Sequence, residues 1–295
     1  MIRYPVSKAQ LEALIEAEKP GWLAKAAKKT KTFRDLGHYD EASSDWSEVK
    51  AVYMRLQGEG KCAYCERKLE SVAFGKVEQD IEHFRPKGNI KHWKTPKKLA
   101  DQGIAATPAP NAGKGYYLLP YHPFNYAAAC KPCNSTLKKD YFPIAGQYAL
   151  DVDDPTKLAD ELAYLVYPIG SIDDDPEQLI TFYGLSPKSV ATVASHAQHR
   201  ALVTIEFFKL DEPEKRKNLY RERAFIIMAL FALLEKTTVG TPAEIKQAKD
   251  RLDGLLTPAL AHLNCAKSFV RLFNDLPDEA RVIYDRVLQF LSSIS

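Results

Sequence analysis

The chain has 295 residues, of which 45% are hydrophobic and 27% are charged, an ordinary composition for a globular protein. This length is sufficient for one large domain or two smaller ones with real hydrophobic cores. No apolar run is long enough to span a bilayer, and the first residues lack the apolar centre of a signal peptide. We therefore expect a cytoplasmic protein without a membrane partner.

Three helices are predicted in residues 1–60. The first begins at a capping box, because Ser7 and Gln10 have the required spacing ahead of an apolar face. The second helix is expected over residues 21–33, and the third over residues 46–56.

Residues 61–145 lack the helical periodicity of the N-terminal segment. Short extended runs at residues 76–83 and 116–120 alternate with turn residues. Between them, residues 100–115 are rich in Ala, Pro and Gly, and we expect this stretch to be a mobile insertion.

Basic charge is concentrated in the same part of the chain. Residues 61–140 contain 14 Lys and Arg against 7 Asp and Glu, a net charge of +7, whereas the remainder carries −4. Such a basic segment suits a polyanion, because neutralising phosphates releases counterions. A solvated lysine-rich surface explains the charge equally well, so the charge alone does not distinguish a polyanion-binding segment from an ordinary surface.

The second half of the chain is predicted to be mostly helical after an acidic stretch. Apolar residues recur at helical spacing over residues 187–208, 214–236, 242–256, 258–273 and 277–291.

Four of the five cysteines form two C-x-x-C pairs, Cys62 with Cys65 and Cys130 with Cys133. Each pair presents two thiolates from one tight turn, and two such turns complete a tetrahedral zinc site. Four protein ligands leave no open position, so this zinc is expected to be structural. Disulfides are the alternative, but nothing indicates an oxidising compartment, and a redox pair would occur singly. Cys265 is expected to be a buried small side chain.

Polar residues around the cysteine pairs restrict the range of functions that the sequence suggests. An extended run ends at Glu82 and His83, Asn125 precedes the second cysteine pair, and Asn134 directly follows it. Together with the cysteines these residues resemble the HNH endonuclease family. Its pattern is C-x-x-C, an acidic residue or His before a His, an Asn, and then C-x-x-C followed by Asn or His. The resemblance covers residues 61–143.

Further matches resemble the subgroup of this family found in retron and Septu anti-phage systems. Residues 62–66 match Cys-x-Tyr-Cys-Glu, and residues 82–87 match Glu-His-Phe-x-Pro-Lys. Residues 116–134 match a Tyr-rich run that leads to Asn and Cys-x-x-Cys-Asn. Two features depart from the pattern. The insertion between the halves is long, and the spacer from Asn134 to Lys138 is one residue longer than usual.

The resemblance implies a role for each polar residue. Glu82 and the side-chain oxygen of Asn134 would hold one Mg²⁺ or Mn²⁺ ion, which prefers hard oxygen ligands. His83 would be the general base, because it projects differently from its strand neighbour and an imidazole titrates near neutrality. Asn125 would brace the loop that holds the histidine. Asp80 shares the strand face of Glu82 and either supports the metal or is merely solvated.

Four basic residues lie beside this pattern. Arg85, Lys87, Lys138 and Lys139 either contact phosphates or form a solvated surface.

We interpret the chain as an α+β, mostly helical protein in three parts. Residues 1–60 form an N-terminal helical segment, residues 61–145 a treble-clef-like ββα-metal (HNH) module with a structural zinc, and residues 146–295 a C-terminal helical domain. The resemblance implies metal-dependent hydrolysis of DNA phosphodiesters in a prokaryotic defence system. It also implies an ABC/SMC-type ATPase partner, for which the C-terminal domain is the expected docking region. The alternatives are an RNase with the same site and a zinc-stabilised adaptor that binds nucleic acid or protein without cutting.

Overall fold

The computed structural model describes residues 1–41, 43–71 and 79–294. In this part of the chain, α-helices are combined with two separate antiparallel strand pairs. The strands are β1 (Gln79–His83) with β2 (Tyr126–Cys130), and β3 (Ile180–Tyr183) with β4 (Ser186–Ser189). The predicted α+β class is confirmed.

The N-terminal helices are α1 (Lys8–Glu18), α2 (Trp22–Leu36) and α3 (Lys50–Leu56). The capping box of α1 is confirmed, because the Ser7 hydroxyl accepts from the Gln10 N–H at 3.2 Å while the Gln10 side chain accepts from the Ser7 N–H at 2.9 Å. A 3₁₀ turn (Asp45–Val49) precedes α3, so the regular α-helix begins four residues later than predicted.

The later helices are α4 (Lys97–Ala100), α5 (Pro176–Leu179), α6 (His196–Phe207), α7 (Lys217–Glu235), α8 (Pro242–Leu255), α9 (Leu263–Asp275) and α10 (Pro277–Ile294). The start predicted for α9, residue 258, was wrong. His262 has a φ of 52°, in the left-handed region, and the helix begins only after it.

The helix predicted over residues 187–208 was wrong in its first part. Strands β3 and β4 form a hairpin around a two-residue loop in which Gly184 has a φ of 58°, as tight hairpins require. Helix α6 begins only after Ser195, whose hydroxyl accepts from the Gln198 N–H at 3.2 Å. The turn at Gly184 and the helix cap at Ser195 could have been predicted from the sequence, but the prediction relied on apolar periodicity alone.

One expectation for the middle of the chain was wrong. Residues 116–120 form consecutive turns and not a strand. Within residues 100–115, the Thr107 N–H donates to Ile144 O at 2.9 Å and Ala105 O accepts from the Tyr164 hydroxyl at 2.9 Å, whereas residues 111–114 are exposed. The mobility expected for this stretch stays a prediction. Of the extended run predicted at 76–83, residues 79–83 form β1 and the first three lie outside the described residues.

Two hydrophobic clusters organise the described residues. The larger surrounds β1, β2 and the cysteines and draws on all three predicted parts of the chain. The smaller lies among α7, α8, α9 and α10. The domain boundaries stay a prediction. None of the described helices has both the length and the apolar character that a membrane span requires.

Candidate functional site

The four paired cysteines meet at one buried point. The Sγ atoms of Cys62, Cys65, Cys130 and Cys133 all lie within 4.8 Å of one another. A tetrahedral zinc with Zn–S bonds of about 2.3 Å separates its sulfurs by roughly 3.8 Å. The Cys65 and Cys130 sulfurs are 3.8 Å apart. The cluster therefore has the size and the chemistry to hold a zinc ion, as predicted.

Backbone and side-chain contacts support the cluster from outside. The N–H of Ala63 donates to Ala128 O of β2 at 2.9 Å. This bond joins the turn of the first cysteine pair to the strand that ends at Cys130, in the second pair. The guanidinium of Arg216 lies 3.6 Å from the Cys133 sulfur and donates to Phe208 O at 2.8 Å. A donor to a ligating sulfur orients that ligand and offsets its charge. Nothing in the C-x-x-C spacing indicated Arg216.

Strand β2 ends at Cys130 and is followed by a π-helical turn (Pro132–Lys138). The N–H of Lys139 donates to Asn134 O at 2.7 Å, the i+5 to i bond of a π-helix, which encloses one residue more than an α-helical turn. This extra residue accommodates the long spacer between Asn134 and Lys138. Both side chains reach β1 in spite of it.

His83, the last residue of β1, is held by aromatic rings and a backbone carbonyl. Its ring is half-buried and meets Trp46 and Tyr126 edge-on, each with centroids 5.2 Å away. Its Nε2 lies 3.1 Å from Pro120 O. A carbonyl can only accept, so Nε2 carries the hydrogen and Nδ1 keeps its lone pair. Burial lowers the pKa of His83 to about 3, below the near-neutral value expected from the sequence. The ring is therefore neutral at physiological pH but is a weaker base than a free imidazole.

Asn125 joins the two segments that position this histidine. Its side-chain oxygen accepts from the Arg85 N–H at 2.8 Å, and its amide donates to Arg85 O at 3.1 Å and to Leu119 O at 3.0 Å. Arg85 follows His83 by two residues, and Leu119 precedes Pro120 in the chain. The buried amide thus ties the end of β1 to the segment whose carbonyl orients the imidazole.

Glu82 is a buried carboxylate that has an ion pair but no well-directed hydrogen bond at its Oε1. Its Oε1 accepts no hydrogen bond from the described residues, although Lys138 Nζ lies 3.1 Å away. The contact has the distance of an ion pair without the direction of a hydrogen bond. Burial raises the pKa of Glu82 to about 7, against the opposing effect of Lys138. A carboxylate oxygen that faces a cation without accepting a hydrogen bond fits a cation ligand.

Asn134 faces β1 from the π-helical turn. Its amide donates to the Asp80 carboxylate at 3.1 Å, and the same carboxylate pairs with Lys131. Its side-chain oxygen accepts no hydrogen bond from the described residues. This oxygen and the carboxylate of Glu82 offer the hard donor set that Mg²⁺ or Mn²⁺ prefers.

These side chains line one cleft of about 680 Å³, which contains Glu82, His83 and Asn134. The other ionisable residues of its lining are Glu18, Glu48, Asp80, Asp140, Lys50, Lys87 and Lys139. Acidic groups exceed lysines in this lining, so the cleft favours a cation and would repel an uncompensated phosphate.

The four basic residues expected near nucleic acid separate into two pairs. Lys87 and Lys139 line the cleft. Arg85 and Lys138 are buried and paired, with Arg85 Nε 3.1 Å from Glu161 Oε2. Because Arg85 and Lys138 already have carboxylate partners, the structure gives no support to phosphate contacts by these two side chains.

The chain is similar in sequence to a known protein of an anti-phage system. It is 31% identical to the Septu protein PtuB of Bacillus mycoides (strain KBAB4) over 193 residues. The match covers 63% of this chain and 58% of that protein, less than two thirds of the relative. No family model matches the chain, and no solved structure matches it.

Proposed function

We propose that this protein is a metal-dependent endonuclease of the HNH type that cuts DNA as part of an anti-phage defence system. The observation that carries the proposal is the meeting of Glu82, His83 and Asn134 in one cleft, with a neutral histidine whose Nδ1 is available. The order β1, β2 and π-helical turn matches the order of a ββα-metal module. The similarity to a Septu protein supports the defence role.

In this mechanism His83 is the general base. Its Nδ1 accepts a proton from the attacking water, while Nε2 remains bonded to Pro120 O. The edge-on rings of Trp46 and Tyr126 restrict rotation of the imidazole, so that Nδ1 keeps its direction. Asn125 acts through the backbone by holding the loop that contains the acceptor carbonyl.

Glu82 and Asn134 would hold one Mg²⁺ or Mn²⁺ ion. When bound, the ion neutralises charge that develops on the scissile phosphate and the leaving oxygen. The two residues fit this task because each has a side-chain oxygen without a hydrogen bond in the described structure. Asp80 supports Asn134 by accepting from its amide.

The cysteine cluster would hold a structural zinc, because four thiolates leave no position for water or substrate. This zinc would join the turn at Cys62 and Cys65 to the end of β2, and so fix the π-helical turn that carries Asn134. Lys87 and Lys139 remain the candidates for phosphate contacts in the cleft.

We also propose an ATPase of the ABC/SMC type as the partner, by analogy with the defence systems that the chain resembles. Residues 146–295 are the proposed docking region. Co-purification of the full chain with the product of an adjacent ATPase gene tests this. If the chain is fully active alone and retains no ATPase, the partner proposal fails.

The deciding experiment compares the wild type with His83→Ala on plasmid DNA and on RNA, with Mg²⁺ or Mn²⁺, with and without the ATPase. The proposal is supported if the wild type cleaves DNA and His83→Ala does not. Cleavage confined to RNA would replace DNA by RNA as the substrate. Binding of nucleic acid without metal-dependent cleavage under any of these conditions would favour the adaptor.

A further inference from the structure

Lys138 is a buried cation beside Glu82, one of the residues that line the candidate active site. Its side chain is fully buried, and its Nζ lies 3.1 Å from Glu82 Oε1 and 3.5 Å from His83 O. Among the described residues no other carboxylate pairs with it. A buried ammonium requires a counter-charge, because desolvation is costly for an isolated ion. Glu82 supplies that counter-charge.

The nearest other carboxylates are already paired. Asp80 and Asp140 both act on Glu82 electrostatically, but Asp80 pairs with Lys131 and Asp140 pairs with Lys91 at 2.8 Å. Neither is available to balance an additional cation beside Glu82 without losing its own lysine.

We propose that the Lys138 ammonium occupies the place beside Glu82 that a divalent ion takes in the active enzyme, so that the lysine and the ion compete for one carboxylate. This inference rests on the proposed function, in which Glu82 is an ion ligand. An ion bound to Glu82 would lie a few ångströms from Lys138, where two cations repel strongly in a buried setting. The protein alone therefore has a low affinity for the ion, and loading requires Lys138 to leave Glu82.

The test measures Mn²⁺ binding to the zinc-loaded full chain by calorimetric titration, together with the Mn²⁺-induced shift in melting temperature. Lys138→Met and Lys138→Gln are compared with the wild type. We expect at least about a tenfold tighter Mn²⁺ dissociation constant in both variants, since removing a unit charge a few ångströms away changes affinity by more than this factor at an effective dielectric constant near 20. The glutamine variant retains a polar amide and serves if the methionine variant does not fold.

Stability supplies a second readout. Without Lys138 the buried Glu82 has no counter-charge, so the variants should melt lower than the wild type in the absence of Mn²⁺. Because binding to the folded state stabilises it, Mn²⁺ should restore more of their melting temperature than it adds to that of the wild type.

Lys139→Met is the matched control. Lys139 lines the same cleft but makes no ion pair with Glu82 in the described structure. An equal gain in Mn²⁺ affinity in Lys139→Met would show a general charge effect and overturn the inference. Unchanged or weaker Mn²⁺ binding in both Lys138 variants would also overturn it.

Glu82→Gln separates this inference from the proposed function. If Glu82→Gln loses Mn²⁺ while the Lys138 variants bind as the wild type does, only the competition fails. If Glu82→Gln binds Mn²⁺ as tightly as the wild type, then Glu82 is not a ligand, and both the competition and the proposed metal site fail.

Discussion

The Nε2 atom of His83 lies 3.1 Å from the carbonyl oxygen of Pro120, a residue 37 positions further along the chain. This contact decides which ring nitrogen carries hydrogen, because the carbonyl can only accept. The nitrogen that remains free, Nδ1, is the one that a general base would use. A backbone carbonyl from a turn distant in sequence thus determines the tautomer of the histidine ring.

Replacing this imidazole tests the nuclease directly. We expect His83→Ala to lower the cleavage rate by at least about 10²-fold, the scale of a lost general base. Zinc content and DNA affinity should persist, because the side chain lies outside the cysteine cluster and phosphate contacts supply most non-specific binding. Plasmid cleavage with the partner present measures the effect, and His38→Ala, at an exposed histidine, is the control. Equal cutting by wild type and His83→Ala would end the HNH interpretation.

The two proposed ion ligands should respond to metal, unlike the base. In Glu82→Ala and Asn134→Ala, the Mn²⁺ concentration for half-maximal cleavage should rise by at least about tenfold, because even indirect support of a metal ligand contributes this much. Excess Mn²⁺ should partly restore cleavage in both variants and should not restore His83→Ala. Titrating Mn²⁺ in the cleavage assay checks this, and identical metal dependence in all three variants would contradict the assignment.

Zinc should be required for folding. We expect about one zinc per chain by elemental analysis, and insoluble or strongly destabilised protein for Cys62→Ser and Cys130→Ser, since binding energy at such a site is largely folding energy. Cys265→Ala is the matched control, because its thiol is buried but lies outside the cluster and should leave the zinc content unchanged. Soluble wild type that lacks zinc and melts normally would refute the prediction.

Asn125 should matter more for stability than for chemistry. Asn125→Ala leaves the Arg85 N–H and Arg85 O without partners in a buried position, at about 1–3 kcal/mol for each group that water does not reach. It also removes one of the two donors to Leu119 O, which keeps the His122 N–H at 3.2 Å. We expect a lower melting temperature and a smaller loss of cleavage than in His83→Ala. Thermal melting monitored by circular dichroism measures the change, with the exposed Asn218→Ala as control. An unchanged melting temperature would show that the hydrogen bonds do not brace this loop.

Local signals account for what the sequence determined. The N-terminal helix followed from Ser7 and Gln10, because a capping box involves residues three positions apart. The cysteine cluster followed from the spacing within each C-x-x-C pair and from the preference of zinc for four thiolates. The α+β class was predicted from the extended runs together with the family resemblance, although only residues 79–83 of those runs form a strand. The first two of these inferences need only neighbouring residues or the chemistry of the ligand.

Tertiary packing decided what the cleft can do. The position of Lys138 beside Glu82 depends on a π-helical turn meeting β1, and sequence reasoning had weighed Lys138 only as a phosphate contact or a surface charge. The orientation of His83 depends on Pro120 and on the rings around it. Burial, ion pairing and pKa are properties of neighbours brought together from distant parts of the chain, and the periodicity of a single segment carries no information about them.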